Sequence, residues 1–166
     1  ATIFSIGFGA FCDCSGLQQV TIKAGFVGES AFIRCTALRT VTVGSGVTGF
    51  GISAFENCPG LTGVYISDLA AWCRIDFGGY LSNPLYGAKR LYLNGVELTD
   101  LQIPDGVTAI SDYAFGDALS ITSVTVPASV QRIGDYAFYQ CSNIRTVNLP
   151  TSGLNRIGAS AFDSCT

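Results

Sequence analysis

The sequence predicts an α/β repeat solenoid, in which short strands and turns recur along the chain and stack on one another. The pair Ala-Phe occurs six times, and its phenylalanines lie 21, 23, 60, 23 and 24 residues apart. A period of about 23 residues is typical of repeat proteins, whose units bury their apolar faces only against neighbouring units. The phenylalanines of this expected core row are Phe11, Phe32, Phe55, Phe115, Phe138 and Phe162.

Each unit is expected to contribute one short strand. Apolar residues lie nine and eleven positions after a phenylalanine, as Val124 and Val126 do after Phe115, with a polar residue between them. Alternation with a period of two is typical of a half-buried strand. Apolar residues before the phenylalanine, such as Val130 and Ile133, predict a second apolar row that returns the chain to the next strand. The Ala-Phe segment itself favours a turn of helix.

The long gap between Phe55 and Phe115 indicates one hidden, irregular repeat at about residues 67–97. Counting back from the next strand places Leu85 at the phenylalanine position and Ala88 at the cysteine position of this repeat. The extra residues therefore fall on both sides of these two positions.

Two local elements are expected within the irregular repeat. Residues 68–73 favour a helical turn, and Trp72 within it is expected to pack the insertion against the solenoid. The dipeptide Asn94-Gly95 lies between alternating apolar residues, which predicts a β-hairpin over residues 91–98.

The repeat motif identifies a known family. The string Ala-Phe-x-x-Cys-x-x-Leu-x-x-Val-x-Ile/Val-Pro, followed by Val-x-x-Ile-Gly, resembles the BspA-like class of leucine-rich repeats and is cleanest from Leu101 to Phe162. The resemblance implies a leucine-rich-repeat solenoid, a horseshoe-like right-handed superhelix with a parallel sheet on its concave face and short helical turns and loops on its convex face. Such proteins are typically secreted or attached to the surface of bacteria, and several take part in adhesion.

Composition narrows the possible partners and domain organisation. The chain is 48% apolar and 13% charged, with a formal charge of −3, so it offers no basic surface for nucleic acid. No apolar run approaches the length of about 20 residues that spans a bilayer. We expect one leucine-rich-repeat domain over residues 1–166. Because neither end resembles a polar cap, we also expect a fragment of a longer array, without the signal peptide or anchor of a secreted or surface protein.

The cysteines are expected to be free thiols in the core. Small apolar side chains occupy the equivalent position in other repeats, and parallel Cα–Cβ vectors on neighbouring repeats disfavour disulfide geometry. The roles of Cys12 and Cys73 stay open, since both lie off the repeat position. Histidine is absent and no second Cys-x-Cys pair follows, which argues against a metal site. The cysteines at the repeat position are Cys14, Cys35, Cys58, Cys141 and Cys165.

The sequence offers no catalytic group or cofactor site. The lack of histidine excludes Ser-His-Asp and Cys-His nucleophile systems. Asp112 and Asp135 lie three positions before their phenylalanines, where the repeat accounts for them as helix-capping or turn residues.

One part of the exposed sheet face is a candidate ligand-binding site. Most outward positions carry threonine or other small polar residues, which form good strands and need no function. The centre of the face differs, because it combines aromatic and charged side chains of the kind enriched at interfaces. The candidate residues are Tyr65, Arg90, Tyr92, Asp100 and Gln102.

The expected function is recognition or adhesion without catalysis, at the cell surface or outside the cell. A protein partner is favoured, such as a host matrix or cell-surface protein, and a glycan comes second. One alternative is a parallel β-helix enzyme acting on polysaccharide, whose coils carry three strands where this repeat shows one. The other alternative is a structural spacer that binds nothing specific. The oligomeric state stays open.

Overall fold

Residues one repeat apart lie side by side as parallel strands in the computed structural model, which describes residues 5–165. The register pairs Val41 with Val64 and Val124 with Val147, so equivalent positions of successive repeats face each other. Each repeat forms one coil, and about seven coils stack into a parallel-strand solenoid, which confirms the predicted repeat solenoid.

The described residues contain thirteen strands, two α-helices and one 3-10 helix. The strands are Ser5–Ile6 (β1), Gln19–Val27 (β2), Thr40–Phe50 (β3), Gly63–Ile66 (β4), Asp76–Phe77 (β5), Leu91–Leu93 (β6), Val96–Glu97 (β7), Asp100–Gln102 (β8), Ala109–Ile110 (β9), Ser123–Thr125 (β10), Arg132–Ile133 (β11), Thr146–Asn148 (β12) and Arg156–Ile157 (β13). The helices are Leu69–Trp72 (α1), Leu85–Ala88 (α2) and the 3-10 helix Tyr80–Ser82.

The second apolar row also forms strands, contrary to the single strand expected per repeat. One sheet has the order β1-β2-β3-β4-β6-β7 with β5 beside β3, and two three-stranded sheets have the orders β12-β10-β8 and β13-β11-β9. In the first half of the chain, β2 and β3 run through both rows without a break. The second row was missed because strands as short as Arg132–Ile133 are too brief to show alternation.

The Ala-Phe segments are turns, and the helical turns expected there are absent from the regular coils within residues 5–165. In the irregular coil, the 3-10 helix Tyr80–Ser82 and helix α2 occupy the equivalent positions. Around Phe138 the backbone is left-handed two positions before, at Tyr136 with φ 57°, and two positions after, at Gln140 with φ 58°. Left-handed residues interrupt a right-handed helix. The amide of Phe138 instead donates to the Ala161 carbonyl of the next coil at 2.7 Å. Hydrogen bonds between coils therefore replace those of a helix.

The phenylalanine row forms the interior of the stack. Phe32, Phe55, Phe115 and Phe138 are buried, and the rings of Phe115 and Phe138 are parallel with centroids 5.2 Å apart. Phe162 and Cys165 are half-buried.

Two residues assigned to the core from sequence are exposed. Phe11 is 39% exposed, and Cys14 also lies at the surface. Within residues 5–165, only the coil that carries Phe32 packs against theirs, with the Phe11 and Phe32 rings 5.0 Å apart. A coil covered on one side cannot enclose its own side chains.

The irregular coil is in a different register from the one expected. Leu91 pairs with Val64, and the Phe55 amide donates to Leu81, where regular coils use the residue before the next phenylalanine. Ser82 therefore occupies the phenylalanine position and Leu85 the cysteine position, three residues from the expected assignment. Counting back from the following strand gave the wrong register, because the hairpin inserts residues between the irregular coil and that strand.

Both local elements expected in the irregular coil are present. Helix α1 is capped by Asp68, whose Oδ1 accepts a hydrogen bond from the Ala71 amide at 2.9 Å. Strands β6 and β7 form the antiparallel hairpin and pair Tyr92 with Glu97. Trp72 is buried, and its indole N–H donates to the Ala114 carbonyl at 2.9 Å, which ties the irregular coil to the next one.

Asp112 and Asp135 connect neighbouring coils, and they do not cap helices of their own. Asp112 Oδ1 accepts a hydrogen bond from the Asp135 amide at 2.9 Å and pairs with the Arg132 guanidinium at 2.8 Å. Asp135 Oδ1 repeats this arrangement one coil later with the Ala159 amide and Arg156. Each carboxylate thus satisfies a backbone donor of the following coil.

All seven cysteines are free thiols. Cys58 donates its thiol proton to the Phe32 carbonyl at 3.1 Å, and Cys141 donates to the Phe115 carbonyl at 3.0 Å. The cysteine position therefore adds a weak hydrogen bond between coils as well as a small apolar side chain. Cys73 is buried, whereas Cys12 is exposed.

Thiol reactivity should follow this burial. Burial raises the pKa of Cys58 to about 11 and that of Cys73 to about 12. Iodoacetamide added to the native protein at about pH 8 should therefore modify Cys12 and Cys14 first, as peptide mass spectrometry would show. Equal labelling of all seven thiols in the folded protein would contradict the buried arrangement.

The same shifts predict loss of stability in alkali. Because the folded-state pKa values lie above the ordinary thiol value of 9.0, the unfolded chain releases its thiol protons at lower pH than the folded chain. The contribution of these thiols to the free energy of unfolding is complete below about pH 9 and falls as the pH rises towards 12. Urea unfolding at several pH values would measure it.

Candidate functional site

A stacked pair of tyrosines lies on the exposed face of the seven-stranded sheet, near the end that carries the hairpin. Strand β4 holds Tyr65, strand β6 holds Tyr92, and the register pairs the two residues directly. Their ring centroids are 4.6 Å apart with an interplanar angle of 11°, and both side chains are half-buried. The pair therefore forms a rigid aromatic surface with a polar hydroxyl on each ring.

Gly63 makes room for this pair. A Cβ atom at Gly63 would lie 3.0 Å from a ring carbon of Tyr92 and 3.1 Å from a ring carbon of Tyr65. Both rings thus lean over the glycine, and a larger residue there would push them aside.

Arg90 lies next to the tyrosine pair, immediately before β6. Its guanidinium contacts Glu97 across the hairpin at 3.4 Å, and the Arg90 side chain is 59% exposed. An exposed ion pair of this kind contributes at most about 1 kcal/mol. The guanidinium is therefore accessible to a ligand that bears a carboxylate or a carbonyl.

Asp100 and Gln102 belong to a different sheet. Strand β8 holds both, and Asp100 accepts hydrogen bonds from the Ser123 hydroxyl and, at 2.9 Å, from the Gln102 amide. These two hydrogen bonds, that from Ser123 foremost, lower the pKa of Asp100. Its carboxylate is ionised at neutral pH and already engaged by its neighbours.

The structure thus divides the five candidate residues into two groups. Tyr65, Tyr92 and Arg90 gather at the hairpin, while Asp100 and Gln102 lie on the three-stranded sheet beyond it. Among residues 5–165, no hydrogen bond or ion pair joins the groups. We name the first group the tyrosine patch.

A second polar and aromatic region, on the turns, was not found from the sequence. Its centre is an ion pair between the partly exposed Lys89 and the buried Asp117, with Nζ and Oδ1 2.5 Å apart. The sequence contained one signal of this region, because Tyr113 and Tyr136 each lie two positions before a phenylalanine of the repeat. Five of the seven tyrosines surround this region, namely Tyr80, Tyr86, Tyr113, Tyr136 and Tyr139.

Residues 5–165 contain neither a metal-binding cluster nor a membrane-spanning helix. In the part of the chain that the structure describes, no three Cys, Asp or Glu side chains are grouped so as to hold a metal ion. No helix within residues 5–165 is long and apolar enough to cross a bilayer.

Comparison with known sequences identifies the repeat. A model of the BspA type leucine rich repeat region matches six copies over residues 1–71 and 89–166. The unmatched residues 72–88 fall in the irregular coil. No curated protein matches the chain.

Comparison with solved structures supports the fold. A leucine-rich repeat protein from Bacteroides ovatus ATCC 8483 is 22% identical, with a TM-score of 0.53 over 98% of this chain and 45% of that protein. The T. pallidum leucine rich repeat protein TpLRR is also 22% identical, with a TM-score of 0.56 over 98% of this chain and 70% of that protein. The chain thus spans less than half of the Bacteroides protein.

Proposed function

Because the chain belongs to the family of BspA-type leucine-rich repeat proteins, we propose that it is a non-enzymatic recognition module that binds a protein partner through its exposed sheet face. The observation that supports this function is the tyrosine patch, where two parallel rings lie beside an accessible guanidinium. Tyrosine and arginine dominate binding energy at protein interfaces, because each buries a large area and keeps a polar group for hydrogen bonding.

The proposed setting is the cell surface or the extracellular space, with a host matrix or cell-surface protein as partner and a glycan as the second choice. The rest of the face suits a supporting role. The Thr21 and Thr42 side chains are exposed, and they continue the column of Tyr65 with little charge. Weakly polar residues around an aromatic contact exclude water from it while adding little to the free energy of binding.

The enzyme alternative finds little support. A parallel β-helix carries three strands in each coil, whereas the described coils have two strand rows at most. The carboxylates Asp112 and Asp135 are engaged between coils and do not form an open pair.

The double substitution Tyr65→Ala and Tyr92→Ala should weaken binding of the partner by about ten- to a hundredfold, since two central aromatic contacts are lost. Surface plasmon resonance against a panel of purified extracellular-matrix proteins and glycans would identify the partner and measure the change. The matched control replaces Thr21 and Thr42 by alanine, on the same column of the same sheet.

Three outcomes separate the candidate functions. Loss of binding in the tyrosine variant alone supports the tyrosine patch as the site. Unchanged binding by a tyrosine variant with the native circular dichroism spectrum excludes that patch. Failure of the native chain to bind any member of the panel favours the structural spacer.

A further inference from the structure

Asp117 is a buried carboxylate that the ion pair with Lys89 satisfies only in part. Its side chain is 4% exposed, whereas that of Lys89 is 37% exposed. Oδ1 accepts a hydrogen bond from the Lys89 ammonium group, whereas Oδ2 is enclosed and accepts no hydrogen bond of good geometry among the described residues. The Tyr80 hydroxyl lies within reach of this carboxylate, but its one proton is donated to Gln140. Burying a charged oxygen without a hydrogen bond costs free energy. A donor from outside the chain would recover it.

The repeat itself does not require a charge at this position. Asp117 lies two positions after Phe115, and the equivalent residues of other coils are chemically diverse. All of them share the left-handed backbone of this turn, so backbone geometry does not demand aspartate either. The equivalent residues are Asp13, Arg34, Asn57, Gln140 and Ser164.

A recess opens beside the ion pair, and the polar groups on its wall are held in place. Gln140 accepts a hydrogen bond from the Tyr80 hydroxyl at 3.2 Å and donates to the Tyr139 hydroxyl at 3.1 Å, so its amide is fixed. Burial, followed by a weak side-chain hydrogen bond with the Asp117 carboxylate, raises the pKa of Tyr80, whose hydroxyl therefore keeps its proton. The recess is lined by Lys89, Asp117, Leu119, Gln140, Ser142 and Ser164.

Charge balance indicates which class of ligand fits. The charges of Lys89 and Asp117 cancel, so the recess gives a charged ligand little net attraction. Fixed donors and acceptors at short spacing suit neighbouring hydroxyl groups, which both donate and accept. The half-buried rings of Tyr80 and Tyr139 add apolar surface nearby.

We propose that this recess binds the terminal unit of a neutral saccharide through two adjacent hydroxyl groups. One hydroxyl donates to Asp117 Oδ2, while Lys89 stays paired with Oδ1 and donates another of its ammonium protons to the second hydroxyl. Gln140 and Ser142 at the rim orient the ring. The site lies on the turns, away from the tyrosine patch, and does not depend on a protein partner there.

Titration of the protein with methyl glycosides of neutral hexoses, followed by ¹H–¹⁵N correlation spectra, tests this site. We expect saturable shifts at the amides of Lys89, Asp117 and Gln140, with a Kd of about 1–10 mM for a single sugar unit. The substitution Asp117→Asn should weaken this binding by about ten- to a hundredfold, because a neutral amide replaces the charged acceptor. Asp13→Asn is the matched control, at the same repeat position in an exposed coil.

The outcomes decide the proposal without reference to the protein partner. If Asp117→Asn does not fold, Gln140→Ala takes its place and should also weaken binding. The Tyr65→Ala and Tyr92→Ala variant should bind the sugars like the native chain, so failure of the tyrosine patch leaves this site standing. Absence of shifts with every neutral glycoside, or shifts only with charged sugars or amines, would overturn it.

Discussion

Replacing Phe138 by alanine is expected to lower the free energy of unfolding by about 3–5 kcal/mol. The ring is fully buried and is stacked between two others, with centroids 5.2 Å from Phe115 and 4.8 Å from Phe162. Truncation removes both contacts and leaves a cavity in the middle of the stack. The cavity cannot close freely, because hydrogen bonds such as that from Phe115 to Ala137, at 2.8 Å, fix the spacing between coils.

Urea unfolding monitored by circular dichroism would measure this loss. The control is Phe8→Ala, because Phe8 is 77% exposed, and its change should stay within about 0.5 kcal/mol. Coils of a solenoid contact only their neighbours, so the last coils of the Phe138 variant should unfold at lower urea than the first. A loss below about 1 kcal/mol would contradict the proposed role of the phenylalanine row.

The stacking of coils could be predicted from the sequence because each repeat presents the same side chain at the same position. Six Ala-Phe pairs have one common way to bury their rings, which is to lie above one another. The hairpin could also be predicted from the sequence, since Asn94 and Gly95 both adopt positive φ, as a tight two-residue turn requires. Local chemistry decides such elements.

The turns depend on contacts that no single repeat shows. Tyr136 and Gln140 are not typical left-handed residues, yet both adopt that backbone, because their amides and that of Phe138 donate to carbonyls of the next coil. The bridge from Asp112 to Asp135 likewise joins residues 23 positions apart. A local pattern therefore suggested a helix and its cap where the structure has turns and a bridge between coils.

The candidate sites could likewise be predicted from the sequence only where they depend on the regular repeat. The register of regular strands was sufficient to place Tyr65 on the exposed face, and Tyr92 follows it in the hairpin. Asp100 was grouped with them, although strand β7 ends their sheet and β8 begins another. The pairing of Lys89 with Asp117 was hidden, because it depends on the register of the irregular coil.

The substitution Gly134→Ala should lower the free energy of unfolding by about 3 kcal/mol, although it adds only one methyl group. A Cβ atom at Gly134 would lie 2.5 Å from the Asp112 amide nitrogen and 2.6 Å from the Ser111 carbonyl carbon. These are backbone atoms of the preceding coil, so they cannot move aside as a flexible side chain would. The two coils would have to separate, which would also strain the bridge from Asp112 to the Asp135 amide.

Gly116→Ala is the matched control for this prediction. The closest atom to a Cβ at Gly116 is the Tyr113 carbonyl oxygen at 3.6 Å, which is an ordinary contact. Alanine there should leave the free energy of unfolding unchanged or raise it by about 0.4–1 kcal/mol, because it restricts the unfolded chain. Since both substitutions have the same effect on backbone entropy, the difference between them measures the close approach of the coils. Equal stabilities of the two variants, determined by urea unfolding, would show that the coils at Gly134 are not tightly apposed.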